Sequence, residues 1–318
     1  MPLIPSSFEP PSFLRNGHAQ TIAGALLPRH VAITFKPERL ELPDGDFLDL
    51  AWSEDKRERL TILSHGLEGS TQGTYIRGMA AALNRAGWDV LAWNFRGCGS
   101  SQNRLPRYYH SGETGDLLAV IAHAARRYSC IALVGFSLGG NVTLKYLGEA
   151  APHPAIVAGA AVSAPVDLGS SARKLDEQLA NRVYLQRFLK SLIAKIEAKA
   201  AHFPDRFDLK GIRKIRSFQE FDDRYTAPLH GFRDAEDYWT QSSSRQYLTG
   251  ISVSTLLLNA QNDPFLSPEC FPDAEATANP KLYLEVPESG GHVGFLDLKH
   301  GIQPWSERRV VRFLETLG

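Results

Sequence analysis

From residue 39 onward the apolar positions fall into short blocks that switch between a two-residue and a helical period. Arg39 to Leu42 and Phe47 to Trp52 alternate around the turn-forming Pro43-Asp44-Gly45, which predicts an antiparallel hairpin. The apolar run Leu60 to Leu63 predicts a buried strand, and a helical stretch follows from about Thr74 to Arg85. Trp88 to Phe95 reads as a strand, Gly115 to Arg126 as a helix and Ile131 to Phe136 as a strand. A helix from Ser137 to Leu147 and a strand from Ile156 to Ser163 continue the series. This order predicts an α/β protein with a mostly parallel central sheet and helices on both faces.

The alternation stops between about Asp167 and Gly250, then resumes with Ser254 to Asn259, Leu282 to Val286 and a last helix from Trp305 to Leu317. Within the interruption Leu185, Phe188, Leu189, Leu192, Ile193 and Ile196 recur at helical spacing, with Lys190, Lys195 and Lys199 between them. The chain therefore reads as one domain, residues 1–318, with a helical cap insertion over about 167–250. An insertion between strands that lead to a site emerges beside that site. Phe232, Tyr238 and Trp239 are expected to line an acyl channel under it. Lys210, Arg213, Lys214 and Arg216 read as a solvated face. The residues before 39 read as an extended, proline-rich lead-in.

Composition narrows the function by exclusion. Basic and acidic residues balance at 35 each, so charge nominates no nucleic-acid partner. Cys98, Cys130 and Cys270 are odd in number and form no CxxC pair, which suits a reducing cytoplasm. No apolar run approaches the roughly 18 to 20 residues of a membrane span, and the N-terminal prolines and charges interrupt any signal-peptide core.

The strongest chemical signal is Gly135-Phe136-Ser137-Leu138-Gly139, a G-x-S-x-G sequence with a predicted strand before it and a helix after it. That context presents Ser137 as a nucleophile at a sharp turn. It also leaves the Leu138 N–H at a helix N-terminus, where unpaired donors favour an oxyanion. A second donor is expected after an earlier strand, in His65-Gly66-Leu67-Glu68-Gly69, and Leu67 is the candidate. His65 reads as a residue that orients this loop. The base is expected at His292, in Ser289-Gly-Gly-His-Val-Gly-Phe295, rather than at the nearby His300. Neutral imidazole can take a serine proton and return it to the leaving group. The acid is expected at Asp263, with Asp167 as its competitor, because Ser, Asp, His is the chain order of this architecture. Asn94-Phe-Arg-Gly-Cys-Gly-Ser100 reads as a tight turn, since it lacks the third glycine of a dinucleotide fingerprint. Neither GxxxxGK[ST] nor HExxH occurs, and no cofactor or metal is expected.

With these residues in place the sequence resembles the YheT-like branch of the α/β-hydrolases, related to the eukaryotic ABHD hydrolases. The resemblance also covers Arg15-Asn-Gly-His-Ala-Gln-Thr21, Asn94-Phe-Arg-Gly97, Phe221-Asp222 and Thr226-Ala-Pro228. It implies a carboxylesterase or lipase-like hydrolase acting on a small-molecule acyl ester, with Ser137, Asp263 and His292 as nucleophile, acid and base. Eukaryotic relatives carry an N-terminal membrane anchor that has no counterpart in this sequence, so their lipid substrates do not carry over. An acyltransferase with the same triad and a noncatalytic binding protein are the alternative readings.

Overall fold

The computed structural model describes residues 3–29 and 31–316. The strands of the central sheet are β1 (Leu3–Ile4), β2 (Lys36–Glu41), β3 (Phe47–Ser53), β4 (Arg59–Ser64), β5 (Asp89–Trp93), β6 (Cys130–Phe136), β7 (Ile156–Val162), β8 (Ser254–Leu258) and β9 (Leu282–Glu285). They form one sheet in the order β1-β9-β8-β7-β6-β4-β5-β3-β2. Only β2 with β3 and β3 with β5 pair antiparallel; the other neighbours are parallel.

Parallel strands covered on both faces need apolar side chains on both. Successive residues of β4, Ile62 and Leu63, accordingly enter different core clusters. The first gathers Ile62, Trp93, Leu133 and Leu257 with α3 (Thr114–Ala124) and α4 (Leu138–Glu149). The second gathers Leu63, Val90, Val134 and Leu256 with α2 (Thr74–Arg85) and the last helix, Trp305–Glu315. Leu317, the expected end of that helix, lies outside the described residues.

Between β7 and β8 the chain turns helical: α5 (Leu168–Glu177), α6 (Arg182–His202), α7 (Phe218–Phe221), α8 (Ala227–His230) and α9 (Ala235–Ser242). The apolar stripe read from the sequence is the inner face of α6, with Leu185, Leu189, Leu192 and Ile196 buried. Lys210, Arg213, Lys214 and Arg216 are exposed, as a solvated face requires.

The N-terminal reading needs correction. β1 adds a parallel edge strand to β9, and α1 (Gly17–Leu26) is a helix where an extended lead-in was expected. Asn16 caps α1, accepting the N–H groups of His18 at 2.9 Å and Ala19 at 3.1 Å. The helix contains two glycines and no charged residue, so no amphipathic stripe announces it. The hairpin strands run longer than expected, and α4 starts at Leu138 with Ser137 as its N-cap.

Candidate active site

Ser137 follows β6 in a backbone conformation of φ 51° and ψ −122°, which residues other than glycine adopt only under constraint. The constraint is close packing: a Cβ on Gly135 would meet the Gly139 carbonyl oxygen at 2.2 Å, and one on Gly139 would meet the Ser64 and His65 oxygens at 2.4 Å. The G-x-S-x-G spacing thus lets strand, turn and helix touch while Ser137 points away from the sheet.

His292 Nε2 lies 2.9 Å from Ser137 Oγ, and His292 Nδ1 lies 2.8 Å from Asp263 Oδ2. Asp263 is buried, and its other oxygen accepts the Phe265 N–H at 2.8 Å. The three side chains come from the ends of β6, β8 and β9 and meet in the chain order expected. Phe265 packs on the imidazole with ring centres 4.2 Å apart. Asp167 is elsewhere: its carboxylate accepts from the Ser170 N–H at 2.9 Å and caps α5. The side chain of His300 lies outside the described residues.

Leu67 and Leu138 both line the cavity beside Ser137. Among the described residues neither N–H donates to a protein acceptor. Close approach is again built in, since a Cβ on Gly66 would lie 3.1 Å from Ser137 Cβ. His65 is fully buried; its Nδ1 faces the Gly66 carbonyl at 2.7 Å, and its Nε2 accepts the Phe95 N–H at 3.2 Å. Burial pushes its pKa down to about 4, so the ring is neutral at pH 7. Glu68 has φ 53° and is tied to the insertion by Lys195 of α6, 2.5 Å away, and by Ser191. Tyr109 donates to the same carboxylate at 2.8 Å.

The cavity above Ser137 holds about 110 Å³ and is lined mainly by apolar side chains, among them Leu168, Ala172, Leu175, Phe188, Leu192 and Phe218 of the insertion. Tyr238 and Trp239 line it as expected; Phe232 does not, and instead packs against Tyr238 with ring centres 5.3 Å apart and the planes tilted by 43°. A carboxyl that sequence reasoning left without a role, Asp222, also faces it. Asp222 accepts from Thr226 at 2.6 Å and from Trp239 Nε1 at 2.8 Å, and burial pushes its pKa up to about 7.

Beside the cavity His110, Glu113 and His230 bring donor atoms within 4.8 Å of one another. The set suits a cation poorly, because the Arg107 guanidinium already occupies Glu113. The Gly112 N–H also donates to His110 Nδ1 at 3.2 Å, which leaves the proton on Nε2, the atom facing Glu113 at 3.5 Å. The Asn94 to Ser100 segment is structural: Gly97 has φ 77°, and Arg96 is buried between Asp116 at 2.7 Å and Asp46 at 3.2 Å.

Residues 62–297 match the alpha/beta hydrolase fold family. Escherichia coli YheT, a candidate esterase by name, is 37% identical over 98% of this chain and 94% of its own length. Mouse phospholipase ABHD3 is 28% identical over 95% of this chain and 76% of its own length. A yeast (Saccharomyces cerevisiae) monoacylglycerol lipase is 30% identical over 83% of this chain and 60% of its own length. Among solved structures, a Pyrococcus furiosus esterase, Pf2001, superposes with a TM-score of 0.63 over 91% of this chain and 93% of that one, at 20% identity. That likeness is one of fold. No helix among the described residues is long and apolar enough to cross a membrane.

Proposed function

The chain belongs to the YheT-like branch of the α/β-hydrolase family and is an esterase or lipase-like carboxylic ester hydrolase, and on that premise we propose that it works through a Ser137–His292–Asp263 triad and an acyl-enzyme. The observation that carries this reading is the continuous hydrogen-bonded line from Ser137 Oγ through His292 to Asp263, opening on an apolar cavity.

Ser137 Oγ attacks the ester carbonyl carbon while His292 Nε2 takes its proton. Asp263 holds the Nδ1–H, so that Nε2 presents its lone pair, and then stabilises the imidazolium. The negative charge that develops on the carbonyl oxygen is met by the Leu67 and Leu138 N–H groups, donors without a protein acceptor among the described residues. Collapse expels the alcohol with the proton from His292. Water, activated by the same imidazole, then releases the acid and restores Ser137.

The insertion acts as a cap, since α5, α6, α7 and α9 supply much of the cavity wall. An apolar wall favours an acyl chain of limited length, and relatives named as a lipase and a phospholipase support an acyl ester as substrate. The test is hydrolysis of short p-nitrophenyl esters by purified Ser137→Ala. The variant should fold as wild type does and lose turnover; wild-type turnover in it would remove Ser137 as nucleophile.

A further inference from the structure

Arg15 to Thr21 take no part in this chemistry, yet they grip both loops that carry it. Thr21 Oγ1 donates to the Gly17 carbonyl at 2.7 Å and accepts the backbone N–H of His292 itself at 2.8 Å. Gln20, fully buried, clasps Leu296 from both sides: its Nε2 donates to the Leu296 carbonyl at 3.0 Å, and its Oε1 accepts the Leu296 N–H at 2.8 Å. Asn262, the neighbour of Asp263, donates to the Arg15 carbonyl at 2.7 Å and accepts the Gly291 N–H at 3.1 Å. The fit leaves no room for a side chain at Gly17, whose Cβ would sit 1.9 Å from the Asn262 carbonyl oxygen.

The loop being gripped needs a grip. Val293 at φ 59° and Phe295 at φ 44° follow His292 in the left-handed region, which bulky residues and above all β-branched ones resist. Such backbone persists only where its surroundings over-determine it. Part of that comes from Ser163, whose Oγ accepts the Val293 N–H at 2.9 Å. Phe295 is held by its N–H bond to the Gly290 carbonyl at 2.9 Å and by the Trp305 N–H on its carbonyl at 2.7 Å, and α1 adds Thr21 and Gln20, more than 270 residues away in the chain.

We propose that Thr21 and Gln20 are positioning residues for the base, and that α1 is a brace that sets the imidazole between Asp263 and Ser137. The proposal rests on the triad reading above. A brace of this kind acts on the chemical step: loosening it misplaces Nε2 relative to Oγ and leaves in place the side chains of the insertion that line the cavity. A misplacement of about 1 Å lowers turnover by up to about 100-fold.

The test uses the full chain with Thr21→Val, Thr21→Ser and Asn262→Ala, each checked for cooperative thermal unfolding and assayed for kcat and KM on a short soluble p-nitrophenyl ester. Thr21→Val, which keeps the shape and loses the acceptor, should lower kcat by about 10- to 100-fold with KM within about twofold. Thr21→Ser should restore most of it. Asn262→Ala, half-buried and outside the core, should lower kcat in the same manner but less, by about threefold to tenfold, and keeps the test open if Thr21→Val does not fold. Wild-type kcat in folded Thr21→Val and Asn262→Ala overturns the brace. So does a loss that Thr21→Ser shares in full, or one carried by KM alone. Ser137→Ala run alongside separates the two ideas: turnover there defeats the triad, whereas an inactive Ser137→Ala beside fully active brace variants defeats only the brace.

Discussion

Replacing Asp263 by asparagine keeps the side chain's size and removes its charge, so the effect reports on the carboxylate alone. The structure fixes which way the amide must turn. One Asp263 oxygen accepts the Phe265 N–H at 2.8 Å, a bond only the amide oxygen can keep. The amide nitrogen is therefore left facing His292 Nδ1, across the 2.8 Å that the carboxylate oxygen spans now. Two donors cannot share that contact, so Nδ1 must give up its proton and accept. Nε2 then carries the proton and points it at Ser137 Oγ, 2.9 Å away, where a lone pair is required. Loss of the right tautomer in such a triad lowers turnover by about 10⁴-fold, or about 5.5 kcal/mol of transition-state stabilisation. Asp167→Asn serves as the control. Asp167 caps α5 and does not touch the imidazole, so that variant should lose about 1 kcal/mol or less of stability and keep turnover within about twofold. The assay is steady-state hydrolysis of a p-nitrophenyl ester by both variants, with folding confirmed by circular dichroism. Turnover within tenfold of wild type for Asp263→Asn, or a larger loss for Asp167→Asn, would refute the assignment of the acid.

Ala172 lines the cavity, so Ala172→Leu should shorten the preferred acyl chain by about three methylenes and lower kcat/KM for the longest good substrate by more than tenfold, at about 0.8 kcal/mol per methylene; an unchanged chain-length profile would count against the cap. His65, with its pKa pushed from 6.5 to about 4, and His110 and His230, pushed to about 3, stay neutral when folded, so urea titrations should show stability falling as the pH drops below about 6.5, by about 2 kcal/mol per ring between pH 7 and 5. Asp222 works in the opposite sense, because its folded pKa of about 7 lies above the usual 3.8 and the folded chain holds its proton as the pH falls. Asp222→Asn should therefore lose about 2 kcal/mol more than wild type between pH 7 and 5, and parallel pH profiles would show that Asp222 is not held protonated.

The central strands were legible because burial on both faces leaves mostly apolar runs such as Leu60 to Leu63 and Ile131 to Phe136. Ser137, Asp263 and His292 were legible as candidates because each follows such a strand among glycine or proline residues that mark its turn. The structure brings their side chains into hydrogen-bond reach. What the sequence hid is long-range. β1 has two residues and carries no period, and α1 is uncharged, so neither declares itself. The grip of Thr21 on His292 joins positions 271 residues apart, and no local pattern encodes it. Asp222 looked like any acidic residue of the insertion; only folding buries it against the cavity. The Arg15 to Thr21 and Phe221-Asp222 segments carried the one local signal, since the family resemblance extends to them without giving them a task.

Ser137 as the activated nucleophile is the role on which all the proposed chemistry depends. Fluorophosphonates react fastest with a serine whose proton is being removed, so the decisive measurement is incubation of the full chain with one, followed by mass analysis of the peptides. A single adduct on Ser137, formed as turnover disappears and absent from Asp263→Asn on the same timescale, is the expected result. An adduct on another residue, or complete hydrolysis activity with Ser137 unmodified, would contradict it.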